Sequence, residues 1–203
     1  MLLLVDTDAF CKLGIAGLLG DVPGLFDLGF TDCRRLPALL YMLRRGRLPK
    51  LYGAEACEAL LSAVERVAGL SPPSDAWLDR LAHIPAIDPG EALLFASAAE
   101  SGHLVLSGDK RALEAVKDVP GFAEALSGRI VVLEAALLGL CERHGAEVIR
   151  GRVAPLLASD MMVEVCFSPG NPDPPGALLS YFTALAREVA PLALWDPRPG
   201  GRA

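Results

Sequence analysis

Residues 87–110, IDPGEALLFASAAESGHLVLSGDK, constrain the fold more than any other stretch, because they spell a capped helix, its stop and a buried strand in unbroken succession. Asp88 suits an N-cap, Pro89 has the fixed φ of a first helical position, and Glu91 stands where a capping box places its acid. Leu93, Leu94, Ala96, Ala98 and Ala99 give the helix a small apolar surface for close packing, and Gly102 supplies its C-terminal stop. His103 to Leu106 then has the length and character of a strand buried on both faces. Ser107-Gly108-Asp109-Lys110 turns from it into a second helical pattern at Arg111.

In an open parallel sheet the crevice lies beyond the carboxyl ends of the strands, which is where Asp109 falls. The N-terminus has the same signature: Met1 to Val5 is an apolar run that ends in Asp6-Thr7-Asp8, ahead of a helical pattern near Ala9. With these two strands as neighbours, Asp6 and Asp109 face each other across the sheet edge and Glu91 leans into the same gap. Singly, each acid has a structural explanation as a cap or a strand-end polar residue; their coincidence at one edge carries the functional reading. Clustered carboxylates repel unless a cation compensates, and Mg²⁺ or Mn²⁺ takes oxygen ligands and a substrate phosphate together.

The apolar strand ending in Asp6, the Gly90-Glu91-Ala92 helix start with Ala96 and Ala99 behind it, and the strand leading to Ser107-Gly108-Asp109 together resemble the PIN domain. The 18-residue step from Glu91 to Asp109 is similar to that family's spacing between its third and fourth acids, and Ser107 occupies the place of its hydroxyl residue. The resemblance covers roughly residues 1–134. It implies a three-layer α/β/α fold around a central parallel sheet and a Mg²⁺- or Mn²⁺-dependent endoribonuclease with RNA as substrate. For a toxin-like member it also implies a protein inhibitor as partner. Asp6, Glu91 and Asp109 would be the catalytic, metal-binding acids, with Asp8 and Ser107 in support. The family's second acid, which stands on a mid-domain helix, has Asp32, Glu55 and Glu58 as candidates, and Glu55 is taken into the metal set.

Two other readings fit the same residues. Asp6-Thr7-Asp8 and a later Gly108-Asp109 also resemble haloacid dehalogenase-like phosphatases, in which the first Asp is a phosphorylated nucleophile and the second a general acid. Against it, Ala9-Phe10 replaces the Gly-Thr of that family, and Leu113 stands where a further Asp is expected. The third reading is a PIN-like interaction module that has lost part of its acid set. G-x-S-x-G, P-loop and dinucleotide fingerprints do not occur.

A net charge of -6 argues against a protein held to nucleic acid by bulk charge, but it does not report on a local basic rim. Such a rim is offered by residues 34–50, which hold six of the 19 Lys and Arg residues. Arg44, Arg45 and Arg47 are the candidates for RNA backbone contact. Cations closing a helix also complement its dipole, which is the plainer reading of the same residues. The five scattered cysteines and the isolated His83, His103 and His144 give no zinc, haem or disulfide framework. The opening LLLV lacks the basic flank of a signal peptide, and no 18-residue apolar run occurs, so a soluble cytoplasmic protein is expected.

Elsewhere, helical patterns run over 11–19, 34–45, with Asp32 as cap, and 53–69, and a β-branched strand over 129–134 closes the core domain. Residues 135–203 form a mainly helical extension with a break at Gly145, a segment at 159–168 ambiguous between helix and strand, and a helix over 177–190. The extension would cover one flank of the sheet or bury itself against a second copy in a homodimer.

Overall fold

The computed structural model describes residues 1–198. The chain opens with β1 (Leu3–Val5) and α1 (Thr7–Ile15), and after a 3-10 turn at Val22–Phe26 enters β2 (Cys33–Arg35). The next elements are α2 (Leu39–Arg45), α3 (Leu48–Tyr52), α4 (Ala54–Arg66), β3 (Ala68–Gly69), α5 (Asp75–Leu78) and α6 (Pro89–Ser101). β4 (Leu104–Leu106), α7 (Lys110–Val116), α8 (Phe122–Ala125) and β5 (Ile130–Val131) complete the sheet. Four helices follow: α9 (Leu133–His144), α10 (Ala146–Val153), α11 (Met161–Phe167) and α12 (Pro174–Glu188).

All five strands are parallel, in the order β3-β2-β1-β4-β5. Successive strand side chains point to opposite faces, so each strand feeds two cores. Leu3, Val5, Leu104 and Leu106 pack with Phe10 of α1, Leu60 of α4 and Leu140 of α9. Leu4 and Val105 pack on the other face with Phe95 of α6, Leu113 of α7 and Phe122 of α8. The result is a three-layer α/β/α arrangement. Residues beyond 134 belong to both cores: Leu137 and Phe167 join the first, while Phe182 and Leu185 of α12 join the second. The extension therefore lies against the sheet and reaches its edge, where Leu194 bridges Ile130. Among the described residues no helix is long and apolar enough to cross a membrane.

The central unit forms as its sequence dictates. Asp88 accepts from the Glu91 N–H, Pro89 opens α6, and Gly102 ends it at φ +67°, a conformation most L side chains avoid. Other segments correct the expected pattern. The helix expected over 34–45 is split, because Cys33, Arg34 and Arg35 pair with β1. Their charges find backbone partners: Arg34 donates to the carbonyls of Thr31 and Cys33, and Arg35 Nε to that of Val64. Leu36 precedes Pro37, whose ring disfavours the helical region for the residue before it, and α2 begins only at Leu39. The first helix starts at Thr7, earlier than its apolar spacing suggests, because Asp6 already has the extended backbone of a cap. The helix expected to reach Gly69 stops at Arg66 and gives way to β3. The ambiguous 159–168 segment is helical in α11, where the Asp160 carboxylate accepts from the Val163 N–H.

Candidate functional site

From β1 the sheet extends through β2 to β3 on one side, and through β4 to β5 on the other. The β1–β4 boundary is thus the point where strand order reverses, and a crevice opens there beyond the carboxyl ends. A cleft of about 930 Å³ occupies that position, and six carboxylates line it: Asp6, Asp8, Asp88, Glu91, Asp109 and Glu114.

Asp6 is anchored by its own backbone, whose N–H donates to the Leu106 carbonyl at 3.0 Å, stitching the end of β1 to β4. Burial pushes the Asp6 carboxyl up to about 6, and the charges of Asp8 and Asp88 add to the rise; the backbone N–H groups of Thr7 and Asp8 oppose it.

Glu91 sits on the first turn of α6 and is only 5% exposed. The Asp88 N–H donates to Glu91 Oε2 at 2.6 Å, and the Glu91 N–H donates to Asp88 Oδ1 at 2.8 Å. Burial, with the charges of Asp88 and Asp109, pushes the Glu91 carboxyl up to about 7. A hydrogen bond with the Asp109 side chain adds to the rise. Gly90 lets α6 come this close to the opposite wall, since a Cβ there would meet Leu36 Cδ1 at 2.9 Å.

Asp109 caps α7 by accepting from the Ala112 N–H at 3.2 Å and has Arg111 beside it at 3.5 Å. The Arg111 side chain is largely open to solvent and that of Asp109 only partly so, which places Arg111 at the rim beside the acids. Asp8 is occupied differently. Its Oδ1 accepts from Tyr52 Oη at 2.6 Å and its Oδ2 from Lys12 Nζ at 2.6 Å. Lys12 also reaches Asp160 at 2.7 Å, which ties the first turn of α1 to the cap of α11.

Two hydroxyls at the strand ends have no partner. Ser107 Oγ is completely buried and Thr7 Oγ1 is buried at the cleft, and neither makes a hydrogen bond. Ser107 lies one residue past β4 as Asp6 lies one past β1, in matching register. A hydroxyl proton there is free to meet a carboxylate or a bound water.

Asp6, Asp8, Glu91 and Asp109 are thus brought together, with Ser107 behind them. Glu55 is not: it is exposed near the start of α4 and does not line the cleft. Glu58 is exposed on the same helix, and Asp32 accepts from the Gly29 N–H away from the cleft. Of the three arginines, only Arg47 lines the cleft; Arg44 faces Glu65 at 3.5 Å and Arg45 is exposed elsewhere. Sequence reasoning assigned Asp88 to capping alone, although the Asp88-x-x-Glu91 pair itself places a second carboxylate beside Glu91. It also missed the Lys12–Asp160 link, for which no local signal exists.

Among the described residues, no three His, Cys, Asp or Glu side chains converge closely enough to form a ready-made metal cage. The acids meet in pairs, Asp88 with Glu91 and Glu91 with Asp109. That donor set suits a hard cation held by one or two carboxylates with water and substrate phosphate completing its shell, the habit of Mg²⁺ and Mn²⁺. Compared with known proteins, the chain matches no family model, no curated protein and no solved structure.

Proposed function

We propose that the chain is a Mg²⁺- or Mn²⁺-dependent endoribonuclease acting at the β1–β4 crevice. The observation that carries this reading is the convergence on one cleft of the half-buried Asp6 and the buried Glu91, both raised by desolvation, with Asp8, Asp88 and Asp109 around them. As such a cluster ionises towards neutral pH its carboxylates repel one another, and a bound cation offsets that repulsion. Asp6, Glu91 and Asp109 would hold the ion. Once bound it supplies an acidified water and stabilises charge on the phosphate. The chain's own groups do the rest: Ser107 Oγ orients a carboxylate or water, Arg111 and Arg47 meet the phosphodiester backbone, and Tyr52 with Lys12 fixes Asp8.

The phosphatase reading asks Asp8 to donate a proton to a leaving group. Both Asp8 oxygens already accept hydrogen bonds, from Tyr52 and Lys12, which disfavours it.

The test is cleavage of a single-stranded RNA by the full chain with Mn²⁺, against the same reaction with chelator. Asp6→Asn and Asp109→Asn should lose cleavage while circular dichroism and melting stay native, because removing one of several like charges relieves repulsion. Unchanged cleavage in both variants rejects the assignment. Calorimetry showing neither Mn²⁺ binding nor turnover points instead to an interaction module.

A further inference from the structure

The wall of the cleft opposite α6 has a different chemistry from its floor. Leu36, Met42, Leu48 and Leu51 line it, from the end of β2 through α2 and α3. Leu51 is 59% exposed and Met42 is half-buried, while Leu36 and Leu48 are buried behind them, so the apolar surface this wall leaves in water is chiefly the Leu51 side chain. Scattered single apolar residues are ordinary, but a run of them forming one side of a concave site is what ligand sites use for affinity.

Arg47, at the N-cap of α3, also lines the cleft, and among the described residues its guanidinium has neither an ion pair nor a hydrogen bond. Most other cations at the cleft are engaged: Lys110 with Glu188 at 2.6 Å, and Arg111 loosely with Asp109. A free arginine beside an apolar wall, facing an acidic floor, therefore calls for a ligand that is flat and apolar in one part and anionic in another. A nucleotide has both parts. Bases of unpaired strands stack on apolar side chains and on guanidinium planes, while the adjoining phosphate accepts from arginine.

We propose that Leu36, Met42, Leu48 and Leu51, with Arg47 at their edge, form a nucleobase subsite that seats one unpaired base and presents its phosphate to the acids. This deepens the endoribonuclease reading and rests on it for the identity of the polymer. The wall supplies stacking area without hydrogen-bond readout, so the subsite accepts a base as such and favours purines through their larger face.

The probes are adenosine 5′-monophosphate and ribose 5-phosphate, titrated calorimetrically into the full chain with Mg²⁺ present. The nucleotide should bind about tenfold more tightly than the sugar phosphate, the low end of what a base gains by stacking on an aromatic side chain. Leu51→Asn, at an exposed position that does not support the core, should erase most of that ratio and leave ribose 5-phosphate binding unchanged. Arg47→Ala should weaken both probes. Equal affinity for the two probes, no binding of either, or an unaltered ratio in Leu51→Asn overturns the subsite. Mn²⁺-dependent RNA cleavage measured in parallel separates the two readings. Cleavage with no base selectivity removes the subsite and leaves the nuclease, whereas selectivity with no cleavage removes the nuclease and leaves the subsite.

Discussion

Asp88 and Glu91 cap each other: each carboxylate accepts the other residue's backbone N–H, at 2.8 and 2.6 Å. The reciprocal bond starts α6 and, at the same time, fixes a buried carboxyl over the cleft. One Glu91 oxygen is consumed by the cap. The same carboxyl also faces Asp109, whose charge and hydrogen bond help raise it.

These two roles of Asp88 are separable. Asp88→Ala loses the cap and should cost about 1 kcal/mol by urea unfolding. Asp88→Asn retains an acceptor for the Glu91 N–H and should cost less, yet it removes a charge that raises both Asp6 and Glu91. NMR titration of the carboxyl carbons should show both groups titrating lower in Asp88→Asn than in the wild type.

Stability should fall as pH rises. The folded-state values of about 6 for Asp6 and about 7 for Glu91 lie above the ordinary 3.8 and 4.5, so between those limits the folded chain binds more protons than the unfolded one. The loss therefore accrues from about pH 4 to about pH 7, and it is complete above that. With screening allowed for, it amounts to a few kcal/mol. Urea midpoints at pH 5 and pH 8 measure it. Mg²⁺ should restore stability at pH 8 and do little at pH 5, and Asp6→Asn should flatten the profile.

Cleavage by Asp6→Asn should drop to no more than about one per cent, a loss of ~2.7 kcal/mol of transition-state stabilisation at tenfold per 1.36 kcal/mol. Glu55→Gln, Glu58→Gln and Asp32→Asn change residues away from the cleft and should leave the rate within about twofold of wild type, the scale of ordinary surface changes. A steady-state RNA cleavage assay compares all four.

Arg150 holds the extension together. Its guanidinium donates to the carbonyls of Phe167, Ser168 and Asn171, joining α10 to the loop after α11. Arg150→Met strands those half-buried carbonyls and should cost roughly 2–4 kcal/mol in chemical denaturation. Glu147→Gln touches only the exposed partner at 3.2 Å and should cost well under about 1 kcal/mol.

What was legible in the sequence was local. The α6–β4–α7 unit is written in consecutive residues: a capping box, a Pro at the first helical position, a Gly stop, three apolar strand residues and Asp109 as the next cap. β2 was misread because two of its three residues are arginines whose charges are met by carbonyls, so polarity masks a strand. β3 has two residues, too few for any period to register. Asp6 and Asp109 were found because strand ends in a parallel sheet share one edge. The wall of Leu36, Met42 and Leu51 could not be read the same way, since an apolar residue facing a cleft looks in sequence like one facing a core. The Lys12–Asp160 pair joins residues far apart in the chain, which no spacing rule reports.

The last described segment finishes the sheet. Ala193 accepts from the Gly128 N–H and the Trp195 N–H donates to the Ile130 carbonyl, both at 2.8 Å, so residues 193–195 run along β5 as a selvedge. During synthesis β5 is complete more than sixty residues before this border strip leaves the ribosome, and in that interval its outer backbone groups have no partner. The nascent chain is thus most prone to pairing with a neighbour while residues 132–192 are being made, and residues 193–195 are what end that exposure.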